Sequence, residues 1–302
     1  MVREDVEFDA QGATLRGWFY PAAGSERREA EGHKAPCVVL QHGFSAVKEM
    51  GLDTYAEVFQ AAGLSALAYD HPGLGASDPL PGSPRQEIDP WQQIRCIQHA
   101  ITYAQSRDDV DPEHIGLWGS SLGGGNAFVA AAIDRRVRAV VSQVPMISGA
   151  VTADIKGLDD FFSAERLARA AGTPPSLIPV VAEDPTAPAA LPTPDAWAWY
   201  TRTGEGSRWR NEITLTSAEL IHSFEPAMYL PLIAPTPLLM IVAPHDGTTP
   251  GAGATIAYET AAHPKKLELI PGGHFDAYDG EVFRLSSEKA RDWFTEHLSA
   301  WS

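Results

Sequence analysis

Two adjacent serines lie between an apolar run and a string of small residues in the segment LWGSSLGGGNA, residues 117–127. The run before them is typical of a buried strand and the run after them of a helix, which predicts a sharp strand-to-helix turn. A nucleophilic serine in such a turn needs very small residues two positions before and after it. Gly119 and Gly123 meet this need for Ser121, whereas Ser120 would have a tryptophan and a leucine there. Ser121 is therefore the candidate nucleophile, and a glycine-rich turn that only starts a helix is the alternative.

Short apolar runs alternate with helical patterns along most of the chain. The predicted strands are VEFDA, TLRGWFYP, CVVLQHG, LSALAYD, HIGLWGS, VRAVVSQVP, TPLLMIVAP and KKLELIPGGH. The predicted helices between and after them are TYAEVFQAAG, DPWQQIRCIQHAITYAQS, LGGGNAFVAAAI and SSEKARDWFTEHL. The first two strands indicate an antiparallel hairpin, and the alternation of the others predicts parallel pairing with helices on both faces. The expected fold class is α/β, with a mostly parallel central sheet flanked by helices.

The alternation stops between residues 146 and 232. This segment is rich in proline, alanine and aromatic residues, and it shows short helical patterns without a clear strand signal. We expect it to be a helical cap insertion in a core formed by residues 1–145 and 233–302. Its small helices are predicted over DDFFSAERLARAAG, TPDAWAWYTRT and SAELIHSF.

An acid and a histidine follow the last two predicted strands. Asp246 comes after TPLLMIVAP, and His274 comes after KLELIPGG. Both would lie at carboxyl ends of strands, where open α/β sheets place their sites. His274 would take the proton of Ser121, and Asp246 would orient the imidazole and stabilise its charge. Of the other histidines, His245 adjoins the acid and would point away, and His222 has no strand to present it.

The developing oxyanion of an acyl transfer needs two hydrogen-bond donors. We expect the backbone N–H of Leu122 to be one and the backbone N–H of Phe44, in the loop QHGFSAVKEM, to be the other. Gly43 would let that loop approach the nucleophile closely. His42 fits a structural hydrogen-bonding role better than a catalytic one.

These motifs together resemble the α/β-hydrolase family. The matching stretches are HGF, DHPGLGAS, GSSLG, PHD and GGH, and they run from about Val38 to the C-terminus. HGFSAVKEM and DPEHIGLWGSSLGG are similar to the branch related to dienelactone hydrolases and Xaa-Pro dipeptidyl-peptidases, some relatives of which act in polyketide pathways. The resemblance implies a triad of Ser121, Asp246 and His274. Dienelactone hydrolases have a cysteine where this chain has Ser121, which argues against that specific activity.

Aromatic residues of the inserted segment are candidates for a substrate pocket, to which we add the histidine of the same segment. The predicted pocket residues are Phe161, Trp197, Trp199, Tyr200 and His222. Packing of the aromatic rings into the cap's own small core is the alternative. No metal or organic cofactor is expected, because a serine, a histidine, an acid and two amides suffice for acyl transfer.

Two main functions fit these residues. The first is a serine hydrolase that cleaves a carboxylic ester through an acyl-Ser121 intermediate. The alternative is a thioesterase or acyltransferase that acts on a polyketide-like acyl chain. A peptidase is less favoured, because no acidic pair can be assigned to hold a substrate amine. A non-catalytic binding protein would be expected to have lost a member of the triad, and all three positions are filled.

Charge and composition limit the partners. The formal net charge of -16 argues against a nucleic-acid partner. No apolar stretch approaches the length of a membrane span, and the N-terminal MVREDVEFDAQG lacks an apolar signal region. Two cysteines exclude a framework of several disulfides. We expect a cytoplasmic protein whose partner is a small-molecule ester or acyl substrate, with a homodimer left open.

Overall fold

The computed structural model describes residues 2–25, 32–152, 155 and 157–298. In chain order its strands are β1 (Glu4–Ala10), β2 (Ala13–Tyr20), β3 (Ala35–Gln41), β4 (Ser65–Tyr69), β5 (Val110–Ser120), β6 (Val137–Gln143), β7 (Leu177–Ile178), β8 (Ile213–Thr214), β9 (Leu238–Val242) and β10 (Lys265–Leu269). The helices are α1 (Leu52–Ala61), α2 (Pro90–Ser106), α3 (Leu122–Ile133), α4 (Gly149–Thr152), α5 (Asp159–Ala170), α6 (Pro194–Gly204), α7 (Leu215–His222), α8 (Gly251–Tyr258) and α9 (Gly280–Leu298). Two 3₁₀ segments span Pro226–Leu232 and Phe275–Tyr278.

Eight of these strands form one sheet in the order β1-β2-β4-β3-β5-β6-β9-β10. The hairpin β1–β2 is antiparallel, and β2 joins β4 in the same sense. All other pairings in this sheet are parallel. The predicted α/β class with a mostly parallel sheet is therefore confirmed. Because carboxyl ends of parallel strands share an edge, the loops after β3, β4, β5, β9 and β10 meet on one side of the sheet.

Apolar residues fill both faces of the sheet. Every residue of β3, β4 and β9 is buried, as expected for strands covered by helices on both sides. On one face, the fully buried ring of Phe294 from α9 packs edge-on against Phe59 of α1, with centroids 5.4 Å apart. The same ring lies over Gly116 of β5, where a Cβ would come within 2.8 Å of it. This close contact requires glycine at position 116 and fixes how α9 packs on β5.

Local signals account for the start of α2. The Asp89 carboxylate accepts hydrogen bonds from the N–H groups of Trp91 and Gln92, at 2.8 and 3.3 Å, and a proline occupies the first helical position. The buried side of the helix includes Ile94 and Ile97. Trp91 lies at the edge of this buried side and is 42% exposed.

The segment between β6 and β9 contains α4 to α7 and the first 3₁₀ segment. It also contains the short antiparallel pair β7–β8, which the sequence did not predict. Its backbone bonds to the loop after β4, with the N–H of Thr214 donating to the carbonyl of Gln86 at 2.9 Å. The hydroxyl of Tyr200 in α6 donates to the carbonyl of Phe44 in the loop after β3. We interpret this segment as the cap, since it is anchored to loops at the carboxyl edge of the sheet.

We expect Phe294→Ala to lower the free energy of unfolding by about 3–5 kcal/mol, because it removes a buried ring and leaves a cavity. Urea denaturation measures the change. Phe161→Ala is the matched control, since this ring is 62% exposed and its loss should cost at most about 0.5 kcal/mol. Equal effects of the two substitutions would contradict the packing described here.

Candidate active site

Ser121 lies at the turn between β5 and α3 with φ 58° and ψ −123°, a backbone conformation that non-glycine residues rarely adopt. The turn brings its own neighbours into close contact. A Cβ at Gly119 would lie 2.1 Å from the carbonyl oxygen of Gly123, and one at Gly123 would lie 2.5 Å from that of His42. Both positions therefore require glycine, which is the requirement that selected Ser121 over Ser120.

Backbone hydrogen bonds hold this strained residue in place. The N–H of Ser121 donates to Gln143 at the end of β6, at 2.9 Å. Its carbonyl accepts from Met146 at 2.9 Å and from Gly124 and Gly125 in the first turn of α3. The strained backbone costs of order 1–3 kcal/mol. These hydrogen bonds offset that cost and hold Ser121 at the carboxyl end of β5.

Asp246 and His274 form a buried hydrogen-bonded pair. The Nδ1 of His274 lies 2.7 Å from the Oδ2 of Asp246, and the two residues are 3% and 6% exposed. The other carboxylate oxygen, Oδ1, accepts from the N–H groups of Thr248 and Thr249, both at 2.8 Å. The hydroxyl of Thr249 also lies 2.9 Å from Oδ2 and 3.2 Å from Nδ1. The loop after β9 thus orients Asp246, and Asp246 in turn holds the imidazole of His274 through its Nδ1.

Two of the three predicted triad residues line one cavity, and the third is hydrogen-bonded to one of them. Ser121 and His274 both line it, although they are far apart in sequence. Phe44 and Leu122, whose N–H groups were predicted to bind the oxyanion, line the same cavity. Asp246 is bonded to His274 and is not among the described residues that line the cavity. The sequence prediction did not include Thr249, which lines the cavity as well and bridges the acid and the histidine.

The loop after β3 approaches the nucleophile closely. A Cβ at Gly43 would lie 3.2 Å from the Cβ of Ser121. The Nε2 of His42 accepts a hydrogen bond from the N–H of His71 at 3.2 Å, so the ring proton is on Nδ1 and donates to the Gly43 carbonyl at 2.9 Å. This carbonyl belongs to the same peptide unit as the N–H of Phe44. His42 therefore turns that N–H away from its own ring, which is a structural role.

A buried ion pair holds the same loop against the loop after β4. The Nζ of Lys48 lies 2.8 Å from the Oδ2 of Asp70, and the N–H of Lys48 donates to Oδ1 at 2.7 Å. The N–H of Ala76 adds a bond to Oδ2 at 2.8 Å. Gly75 allows this turn, since a Cβ there would lie 2.3 Å from the carboxylate. Because Asp70 is fully buried, losing Lys48 would leave an unpaired charge. No pattern in the sequence indicates this pairing.

The cavity under the cap has a volume of about 140 Å³. Aliphatic side chains of the inserted segment form much of its wall: Ile155, Leu158, Ile178, Leu191, Ile213 and Ile221. None of its described lining residues is a lysine, arginine, aspartate or glutamate. Such a wall favours an uncharged, apolar group.

The structure brings only some of the predicted pocket residues to these cavities. Tyr200 lines the main cavity, and Trp199 lines a smaller one beside it. Phe161 does not, because it lies on the outer side of α5 and is 62% exposed. Among the described residues that line these two cavities, Trp197 and His222 are absent. Successive residues of a helix point to different sides of it. The number of aromatic residues in α6 therefore could not show which rings face the site.

Among the residues that the structure describes, no three histidine, cysteine or acidic side chains are grouped to hold a metal ion. Within the same residues, no helix is both long enough and apolar enough to cross a membrane. Cys37 and Cys96 are both buried and not disulfide-bonded. Burial raises the pKa of the Cys96 thiol to about 12, so it stays protonated at neutral pH.

His42 in the loop after β3 and His71 in the loop after β4 favour the neutral form in the folded protein. Burial lowers the pKa of His42, and it lowers the pKa of His71 much further, with His42 adding to the effect. Their rings lie 4.7 Å apart. Neither ring nitrogen of His71 has a hydrogen-bond partner among the described residues. Protonation of His71 would therefore bury an uncompensated charge.

We expect the free energy of unfolding to fall as pH is lowered through about 6.5, the pKa of an unfolded histidine. Below that value the unfolded chain binds protons that the folded chain excludes, and above it this stabilisation is complete. His71→Phe keeps the ring and removes one such group. Denaturation of wild type and variant at several pH values between about 7 and 5.5 gives the slope of the free energy of unfolding against pH. This slope should be smaller in the variant by at most about 1.4 kcal/mol per pH unit. An unchanged slope would contradict the exclusion of protons from His71.

Known proteins with similar sequences include enzymes that handle polyketides. The polyketide transferase ATR5 of Stachybotrys chlorohalonatus is 31% identical, over 93% of this chain and 93% of that protein. The thiohydrolase aneE of Aspergillus aculeatus is 32% identical, over 87% of this chain and 83% of that protein. A closer relation to dienelactone hydrolases or Xaa-Pro dipeptidyl-peptidases remains a prediction.

The fold is similar to that of solved structures over nearly the whole chain. The crystal structure of the α/β-hydrolase GrgF from Penicillium sp. sh18 superposes with a TM-score of 0.85 at 29% identity, covering 99% of both chains. A family model described as the alpha/beta hydrolase fold matches residues 36–281. This match includes Ser121, Asp246 and His274. The chain therefore belongs to the α/β-hydrolase family.

Proposed function

We propose that this chain is a serine enzyme that transfers an acyl group from a thioester through an acyl-Ser121 intermediate. The observation that carries the proposal is the strained turn that presents Ser121 at the same cavity as His274, whose other nitrogen is bonded to Asp246. A serine hydroxyl is a weak nucleophile without such a base and such an orienting acid.

In the first half of the reaction, the Oγ of Ser121 attacks the thioester carbon while the Nε2 of His274 takes its proton. The carbonyl oxygen becomes an oxyanion facing the N–H groups of Phe44 and Leu122. Asp246 stabilises the imidazolium that forms. The carbon–sulfur bond then breaks, and the thiol leaves with the proton from His274. The product is an acyl ester of Ser121.

The cavity supports an aliphatic acyl group. Its wall is built from leucine, isoleucine and alanine side chains of the cap, and it carries no charged side chain among the described residues. Burial of an apolar chain there contributes about 0.8 kcal/mol for each methylene group removed from water. The acyl chain would thus supply much of the binding energy, while the polar end supplies the chemistry.

The thioester is favoured as donor by the names of similar proteins, a thiohydrolase and a polyketide transferase. Cleavage of an oxygen ester is the second candidate. It would use the same residues in the same order, and the hydrolase family supports it in general terms. A protein that only binds ligands would not need a strained serine beside a buried histidine–carboxylate pair, so this alternative is weaker.

We expect a fluorophosphonate probe to label the folded protein at Ser121, because the probe reports a serine activated by a base. Ser121→Ala should abolish labelling, as detected by peptide mass spectrometry, and should change the thermal midpoint little. Ser120→Ala is the matched control from the adjacent position, and Ser121 should still be labelled in that variant. Labelling that persists in folded Ser121→Ala protein would reject the nucleophile.

We expect kcat/KM to be higher for a medium-chain acyl thioester than for the oxygen ester with the same acyl chain. Both should require His274, and His274→Ala should lower kcat by several orders of magnitude. Release of free thiol and of free alcohol gives the two rates in parallel assays. A clear preference for the oxygen ester would favour the second candidate, and a mild effect of His274→Ala would point to another base.

A further inference from the structure

A second, smaller cavity adjoins the acyl cavity at the reacting groups. Four residues line both of them: Ser121, Tyr200, His274 and Phe275. The smaller cavity has a volume of about 20 Å³, compared with about 140 Å³ for the larger one. It extends under the loop after β3, away from the aliphatic wall of the cap. The two cavities therefore offer very different spaces on either side of the nucleophile.

The wall of the smaller cavity differs in chemistry as well as in size. Trp118 and Trp199 both line it, and the Nε1 of each is buried without a hydrogen-bond partner among the described residues. Ser120 and Tyr278 also line it, and their hydroxyl oxygens lie 2.6 Å apart. Two buried donors without partners are costly unless a small polar molecule bonds to them.

One water molecule matches this space. A buried water needs about 10–15 Å³ of accessible volume and typically makes two to four hydrogen bonds. The cavity provides about that volume, and Trp118, Trp199, Ser120 and Tyr278 are among the polar side chains that line it. An acceptor with a carbon chain would not fit into it. We propose that this cavity, hereafter the water chamber, binds the water that attacks the acyl-enzyme, so that the chain releases its acyl group as a carboxylic acid.

The inference rests on the proposed acyl-Ser121 intermediate and specifies its acceptor. The water oxygen bonds to the acyl carbon while the Nε2 of His274 takes one water proton. The bond between that carbon and the Oγ of Ser121 then breaks, and His274 returns the proton to Oγ. The products are a carboxylic acid and the free enzyme. Trp199 and Tyr278 act as positioning residues, since they orient the water and do not touch the acyl carbon.

Two substitutions test the water chamber without removing the nucleophile or base. Trp199→Phe removes one indole N–H, and Tyr278→Phe removes one hydroxyl, while both keep an aromatic ring. A medium-chain acyl thioester is mixed with wild type or variant, and thiol release, acyl-protein mass and free acid are followed in time. We expect an unchanged burst of thiol and a deacylation rate lowered about fivefold, the effect of losing one hydrogen bond.

Trp293→Phe is the matched control. Its Nε1 is also buried without a partner among the described residues, but Trp293 belongs to α9 and packs in the core, outside the lining of both cavities, so this variant should deacylate at the wild-type rate. Wild type should also give free acid as its main product when alcohols or thiols are added. Either a wild-type deacylation rate in folded Trp199→Phe and Tyr278→Phe, or transfer to the added acceptor as the main reaction, would overturn the water chamber. Failure of wild type to form any acyl-Ser121 would instead overturn the proposed function.

Discussion

The strained turn at Ser121 is the constraint on which the rest of the site depends. Its φ of 58° is a backbone conformation that residues with a side chain rarely adopt, and the turn is tolerated only because Gly119 and Gly123 carry no Cβ. The hydrogen bond from its N–H to β6 ties the turn to the sheet. The parallel sheet then brings the loops carrying Asp246 and His274 to the same edge. The fold therefore brings residues that are far apart in the chain together at one candidate site.

The loop after β3, which carries the proposed oxyanion donor Phe44, is held by groups outside the proposed triad. A neutral His42 fixes the Gly43–Phe44 peptide from one side, and the buried pair of Lys48 and Asp70 fixes the loop beyond it. These interactions cost free energy of desolvation, which the local hydrogen bonds offset. In the proposed reaction, the donors would therefore not need to reorganise when negative charge develops on the substrate. Preorganisation explains why so many polar groups are buried beside a largely apolar cavity.

Most of the fold and the polar centre of the site could be predicted from the sequence, because their signals are local. Ser121 is identified by glycines two positions away, and Asp246 and His274 by the strands that precede them. Contacts between distant segments have no such signal, so neither the pairing of Lys48 with Asp70 nor the contact of Thr249 with His274 was identified. The exposed Phe161 and the buried Tyr200 look alike in sequence. The helix α8 was missed because its run of glycine and alanine lacks an amphipathic pattern.

The arrangement separates three tasks around one serine. In the proposed reaction, aliphatic side chains hold the acyl group, backbone N–H groups face the oxyanion, and the histidine moves the proton. The most direct measurement is a crystal structure of the protein with a phosphonate bound covalently to Ser121. The phosphoryl oxygen should lie within about 2.7–3.1 Å of the N–H groups of Phe44 and Leu122, with His274 beside the serine Oγ. A phosphoryl oxygen turned to solvent, away from both N–H groups, would contradict this description of the site.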